Sequence, residues 1–158
     1  MTASSDGKAF ERRFRESALR AGLKVVRLSD KRGYNPATGA SFGRDSEADF
    51  LLFSPAGHAY MAECKSTRAE YLRKGAVRQC QREALAGFDA MHPRFHGVLA
   101  VEFLGETARQ RRMFLADWGS LSRIAGRWDA ASLGAAGREF RKVSTCYRLD
   151  LGAWEDGS

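Results

Sequence analysis

Two strand-like segments joined by four turn residues constrain this chain more than any other feature. Residues 48–53 (ADFLLF) and 58–65 (HAYMAECK) are rich in apolar and aromatic side chains, and Ser54-Pro55-Ala56-Gly57 between them has turn composition. The pattern predicts a β-hairpin. Side chains alternate faces along a strand, so Glu63 and Lys65 point one way and Cys64 the other. Such a hairpin brings Asp49 of its first strand beside Glu63 and Lys65 of its second, with Glu47 a weaker candidate on the same face as Asp49. The neighbours Phe50, Leu51, Leu52, Phe53, Tyr60 and Met61 place these charges close to a core, where a charge needs a partner or a task.

The rest of the chain extends this pattern into an α/β domain. Phe10, Phe14, Ser17, Ala18 and Ala21 recur at helical spacing, predicting a helix over 8–21 that Ser5 or Asp6 caps and Gly22 ends. Residues 24–28 (KVVRL) form a short strand, and 29–44, with three glycines and Pro36, reads as a long loop. After the hairpin, a helix is expected over 68–88, with Gly75 as a break near its start. Strands follow at 95–103 (FHGVLAVEF) and 111–116 (RRMFLA), then a helix at 118–127, a small-residue linker at 130–137 and a last strand at 142–151. This order implies a mixed sheet flanked by helices. A length of 158 residues fits one domain spanning 1–158.

No apolar run reaches the ~20 residues of a membrane span, and the N-terminus lacks an apolar stretch of signal-peptide type, so the expectation is a cytoplasmic protein without a membrane partner. The three cysteines, Cys64, Cys80 and Cys146, show no CxxC spacing and indicate neither a disulfide framework nor a zinc site. His58, His92 and His96 read as turn and strand residues.

The net charge is +7, with a pI near 9.7, and a basic domain commonly meets a polyanion, nucleic acid first. Residues 1–35 hold nine Lys or Arg against four acids, and a second basic cluster follows the hairpin. The candidate phosphate-binding residues are Lys8, Arg12, Arg15, Lys31, Arg32, Arg44, Arg68, Arg73, Lys74 and Arg78.

Two carboxylates and an ammonium beside a basic surface are the equipment for phosphodiester hydrolysis. Hard divalent cations take oxygen ligands, and Mg²⁺ (or Mn²⁺) usually uses one or two carboxylates plus waters and substrate phosphate. Asp49 and Glu63 supply carboxylates, the backbone carbonyl of Cys64 is a further candidate ligand, and Lys65 is a candidate base or charge stabiliser. Glu11 flanks the apolar stripe of the first helix and is a candidate accessory ligand. Gln81 interrupts the stripe of the second helix and is a candidate for holding the attacking water or a phosphate, against the plainer reading of a satisfied buried amide.

Taken together, Gly7-Lys8-Ala9-Phe10-Glu11, Glu47-Ala48-Asp49-Phe50, Ala62-Glu63-Cys64-Lys65-Ser66-Thr67, and Gln81 followed four residues later by Leu85 resemble the PD-(D/E)xK nuclease superfamily. Within it they are most similar to Holliday junction resolvases of the RecU type and their phage and archaeal relatives. The resemblance covers about 7–116 and leaves 117–158 as an extension with no recognisable motif. It implies a restriction-endonuclease-like core, Mg²⁺ dependence, and a homodimer that cuts four-way DNA junctions symmetrically. It places Glu11, Asp49, Glu63, Lys65 and Gln81 at motif positions. Cys80 stands where the RecU type usually has a histidine, and 29–44 is shorter than the RecU central stalk. A nuclease for another DNA structure or duplex site, a non-catalytic junction binder, and a fold serving only assembly with a protein partner stay open as alternatives.

Overall fold

The computed structural model describes residues 3–28, 31–44 and 47–156. In chain order the elements begin with helix α1 (Ala3–Arg20) and strands β1 (Lys24–Arg27), β2 (Lys31–Asn35), β3 (Ala40–Arg44), β4 (Phe50–Phe53), β5 (Ala59–Thr67) and β6 (Tyr71–Arg73). Helix α2 (Gln79–Met91), strands β7 (Phe95–Phe103) and β8 (Arg112–Asp117), helix α3 (Trp118–Leu121) and strand β9 (Arg127–Asp129) follow. The chain continues through α4 (Ala130–Ala136), β10 (Gly137–Phe140), β11 (Lys142–Val143), β12 (Cys146–Tyr147) and α5 (Gly152–Glu155).

Six strands form the central sheet, in the order β1-β4-β5-β7-β8-β10. It is mixed: β5 and β7 run parallel through the crossover that contains α2, and the other neighbours are antiparallel. The predicted hairpin is β4–β5, with Phe50 opposite Ala62 and Phe53 opposite Ala59.

Each face of the sheet has its own apolar layer. Phe10, Phe14 and Ala18 of α1 pack on Phe50, Leu52, Tyr60, Ala62, Val98, Ala100 and Leu115. On the other face Val77 and Leu85 pack with Leu99, Val101, Phe114, Trp118, Leu121, Trp128 and Leu133. The odd and even residues of β7 split between the two layers, as its uninterrupted apolar sequence requires of a strand covered on both sides. At Gly97 the backbone of α2 comes so close that an added Cβ would lie 2.3 Å from the Leu85 carbonyl oxygen. This contact fixes the height of α2 over the sheet.

Several sequence expectations are corrected. Within 29–44 the described residues form an antiparallel ribbon, β2–β3, with Lys31 opposite Arg44. The helix expected over 68–88 begins only at Gln79; Tyr71–Arg73 is instead a strand paired with Arg127–Asp129, followed by a 3₁₀ turn at Lys74–Ala76. The helix expected over 118–127 stops at Leu121, with Gly126 at φ +81° before β9. The linker at 130–137 is helix α4, capped by Asp129 accepting from the Ser132 N–H at 2.9 Å, and its last residue opens β10, the sheet's sixth strand. The strand expected over 142–151 is the two-residue ribbon β11–β12.

Candidate active site

The candidate site sits where β4 begins and β5 runs on past it. The Asp49 N–H donates to the Ala62 carbonyl at 3.1 Å, and the Asp49 carbonyl accepts from the Leu28 N–H at 2.9 Å. The β4–β5 ladder has its last pair at Phe50–Ala62, so Asp49 stands just before the regular pairing begins, on the backbone beside Glu63 and Cys64. The Asp49 carboxylate accepts from the Cys64 N–H at 2.8 Å. Because a strand residue's N–H and C=O face the same neighbouring strand, the Cys64 carbonyl is directed to this side too.

Glu63 is almost wholly buried, at 2% exposure. One carboxylate oxygen, Oε1, receives both Lys65 Nζ at 2.8 Å and Gln81 Nε2 at 2.6 Å. The other, Oε2, is buried without a hydrogen-bond partner. Gln81 comes from the first turn of α2, and its amide oxygen accepts from the Arg78 N–H at 3.0 Å. This bond fixes the orientation of the amide and presents its NH₂ to Glu63. The plainer reading of Gln81 as a satisfied buried amide is therefore correct as far as it goes, and its satisfying partner is the candidate ligand itself.

Electrostatics follow from this crowding. Burial, then the nearby Asp49 carboxylate, push the Glu63 carboxyl up from its ordinary 4.5 to about 7, against the pull of Lys65 and Arg78. The Asp49 carboxyl is raised too, by burial first and by Glu11, while the Cys64 N–H, Lys65 and Arg27 pull it down. Burial raises the Cys64 thiol well above its ordinary range, so that side chain is inert packing on the α1 face.

Glu11 approaches from the other layer of the fold. It is on α1, bound by Arg27 of β1 at 2.8 Å, and is close enough to Asp49 to act on its charge. In sequence Arg27 counts only among the basic residues of 1–35; its position one strand from the hairpin gives no local signal of a site role. Among the described residues, no three or more His, Cys, Asp and Glu side chains form a ready metal cage. The donor set fits a magnesium-type ion nonetheless. Two carboxylates with backbone oxygen suit a cation that keeps several waters, and the orphaned Glu63 Oε2 needs a proton or a cation.

Among the described residues, the candidate basic side chains do not gather on one face. Lys8, Arg12 and Arg15 are exposed on α1, Arg68 pairs with the buried Asp6 at 2.9 Å, and Arg73, Lys74 and Arg78 lie on the approach to α2. The side chains of Lys31, Arg32 and Arg44 lie outside the described residues.

Two buried polar clusters were not anticipated. Glu102 is fully buried between Arg13 of α1, which binds both its oxygens, and the Tyr147 hydroxyl at 2.6 Å, tying β12 to the core. His58 and His96 stack and share a 2.8 Å hydrogen bond. Each pairs residues distant in sequence, so local pattern carried no signal.

No protein-family model matches the sequence, and no curated protein matches it. The fold does have a counterpart. The structure is similar to that of Hjc, a Holliday junction resolvase from the archaeal hyperthermophile Archaeoglobus fulgidus, with a TM-score of 0.55 and 18% identity over 84% of this chain and 95% of that one. The fold is thus the restriction-endonuclease-like α/β type, with its mixed sheet between helices. Among the described residues no helix is long and apolar enough to cross a membrane.

Proposed function

We propose that this chain is a divalent-metal-dependent DNA endonuclease that cuts four-way junctions as a homodimer. The observation that carries the reading is the buried, unpartnered Oε2 of Glu63 beside Asp49, at the motif positions of a hairpin whose fold is that of a resolvase. Asp49, Glu63 and the Cys64 carbonyl would hold Mg²⁺ or Mn²⁺, with Glu11 as an accessory ligand. When bound, such an ion supplies positive charge against the reacting phosphate and acidifies water.

The remaining chemistry belongs to the chain. Lys65, held 2.8 Å from Glu63, is placed to take the proton of the attacking water or to stabilise charge developing on the phosphate. The Gln81 amide donates one N–H to Glu63, and its second orients water or phosphate. Arg73, Lys74 and Arg78 engage the backbone, where contacts position the strand without reading sequence. A homodimer matches the two-fold symmetry of a junction, presenting paired sites to paired phosphates.

The test compares cleavage of a four-way junction with that of linear duplex of the same sequence in Mg²⁺. Wild type is expected to introduce paired, symmetric nicks in the junction alone. Asp49→Asn is expected to lose about 10³-fold in rate, equivalent to about 4 kcal/mol, while binding persists. Binding by wild type without any cutting would select the non-catalytic reading.

A further inference from the structure

The ribbon formed by β6 and β9 carries a charge arrangement that the site does not explain. Its register sets Arg73 directly opposite Arg127, and Tyr71 opposite Asp129. Like charges directly opposed across antiparallel strands are unfavourable. Here no acid compensates: Asp129 is committed to capping α4 through the Ser132 N–H and hydroxyl, both at 2.9 Å. Among the described residues Arg73, Lys74 and Arg127 form no ion pair with a carboxylate. The Arg127 guanidinium lies over the Tyr71 ring at 4.4 Å from its centroid. The charges of both arginines act on the Tyr71 hydroxyl and draw its pKa down, so the phenol lies beside the two cations. Lys74 stands over the buried Trp128 ring at 5.7 Å and adds a third positive charge.

The ribbon is rigidly connected to the candidate site. Leu72 and Trp128 anchor it in the same apolar layer as Val77 and Leu85 of the α2 segment. Arg73 and Arg78 are five positions apart in sequence, a reach of at most about 18 Å. A nucleic-acid strand rises about 3.4 Å per nucleotide, so Arg73 lies within about five nucleotides' length of Arg78, whose N–H bonds the Gln81 amide that holds Glu63.

We propose that Arg73 and Arg127, beside Tyr71 and joined by Lys74, form a backbone-phosphate subsite for the DNA strand that enters the cleavage site. A phosphate between the guanidinium groups converts an unfavourable like-charge pair into a bridged anion. The subsite makes the extension beyond residue 117 part of the DNA-binding surface, through Arg127 of β9. This inference rests on the nuclease reading for the identity of its strand.

The experiment measures junction binding against KCl concentration for wild type, Arg73→Gln, Arg127→Gln and the double variant. Arg138→Gln, at the far sheet edge where Arg138 stands 3.8 Å from Asp150, removes the same charge elsewhere. Each ribbon variant is expected to bind about 3- to 10-fold more weakly, with the salt slope shallower by about 0.7–0.9, and Arg138→Gln to leave the slope unchanged. Thermal midpoints of the ribbon variants are expected to hold or rise, since a like-charge contact is removed. Ribbon variants that match wild type in slope, or that match Arg138→Gln, overturn the subsite; if wild type still cuts junctions, the nuclease reading survives. Loss of slope with no cleavage by wild type sustains the subsite and removes the nuclease reading.

Discussion

Replacing Glu63 by glutamine removes a charge that the free protein holds at a cost. Glu63 is 2% exposed, and its carboxyl is raised from 4.5 to about 7 by burial and by Asp49. Between those values the folded state binds a proton that the unfolded state has released, so stability must fall as pH rises through this window. The displacement corresponds to about 3 kcal/mol at most, fully expressed only above pH 7. The raised Asp49 carboxyl acts in the same direction. In chelator, wild type should therefore lose up to about 3 kcal/mol relative to Glu63→Gln between pH 4.5 and pH 8, or roughly 6–12 °C in Tm for a chain of this size. Urea unfolding of both proteins in EDTA across that range measures the difference directly, because other titrating groups are shared and largely cancel. A wild type whose stability stays parallel to the glutamine variant, or gains on it as pH rises, would refute the assignment of a crowded carboxylate pair whose burial outweighs its partners.

Three further outcomes follow from the same contacts. Gln81→Ala removes the donor to Glu63 and the acceptor for the Arg78 N–H; expected effects are a 10- to 100-fold fall in cleavage rate and about 1–2 kcal/mol of destabilisation, read by single-turnover kinetics and urea midpoints. Gly97→Ala drives a Cβ against the Leu85 carbonyl, so α2 must lift; destabilisation of about 2–3 kcal/mol is expected together with loss of cleavage, since Gln81 rides on that helix. Arg13→Ala strands the buried Glu102 carboxylate and should cost about 3–5 kcal/mol, while junction affinity at a temperature where the variant is folded stays near wild type.

What was legible in the sequence is what local pattern encodes. Asp49, Glu63 and Lys65 belong to one local hairpin, so strand alternation sets the two residues of β5 on one face and the short connection carries β5 back past the start of β4, where Asp49 stands. Gln81 stood out because a polar residue interrupts an apolar helical stripe. The misses have a common origin in pairing across long sequence distances. Tyr71–Arg73 looked helical beside its neighbours, yet it pairs with Arg127–Asp129, a partner no local window contains. Residues 130–136 looked like a linker because they are small; alanine is also the strongest helix former, and Asp129 caps the run. Gly137 then opens β10 because only glycine tolerates an approach that would set a Cβ 2.0 Å from the Leu115 carbonyl oxygen. The two helices of the fold's faces were placed correctly in kind, and the start of α2 was misplaced by the Gly75 region, where a 3₁₀ turn and not a helix leads in.

The central claim is that Asp49 and Glu63 share one divalent cation, and titration calorimetry with Mn²⁺ at pH 8 tests it without reliance on turnover. Wild type is expected to bind Mn²⁺ at a site lost in both Asp49→Asn and Glu63→Gln, and to bind it more weakly at pH 6, where Glu63 holds its proton. Mn²⁺ binding of equal strength in all three proteins would contradict the account.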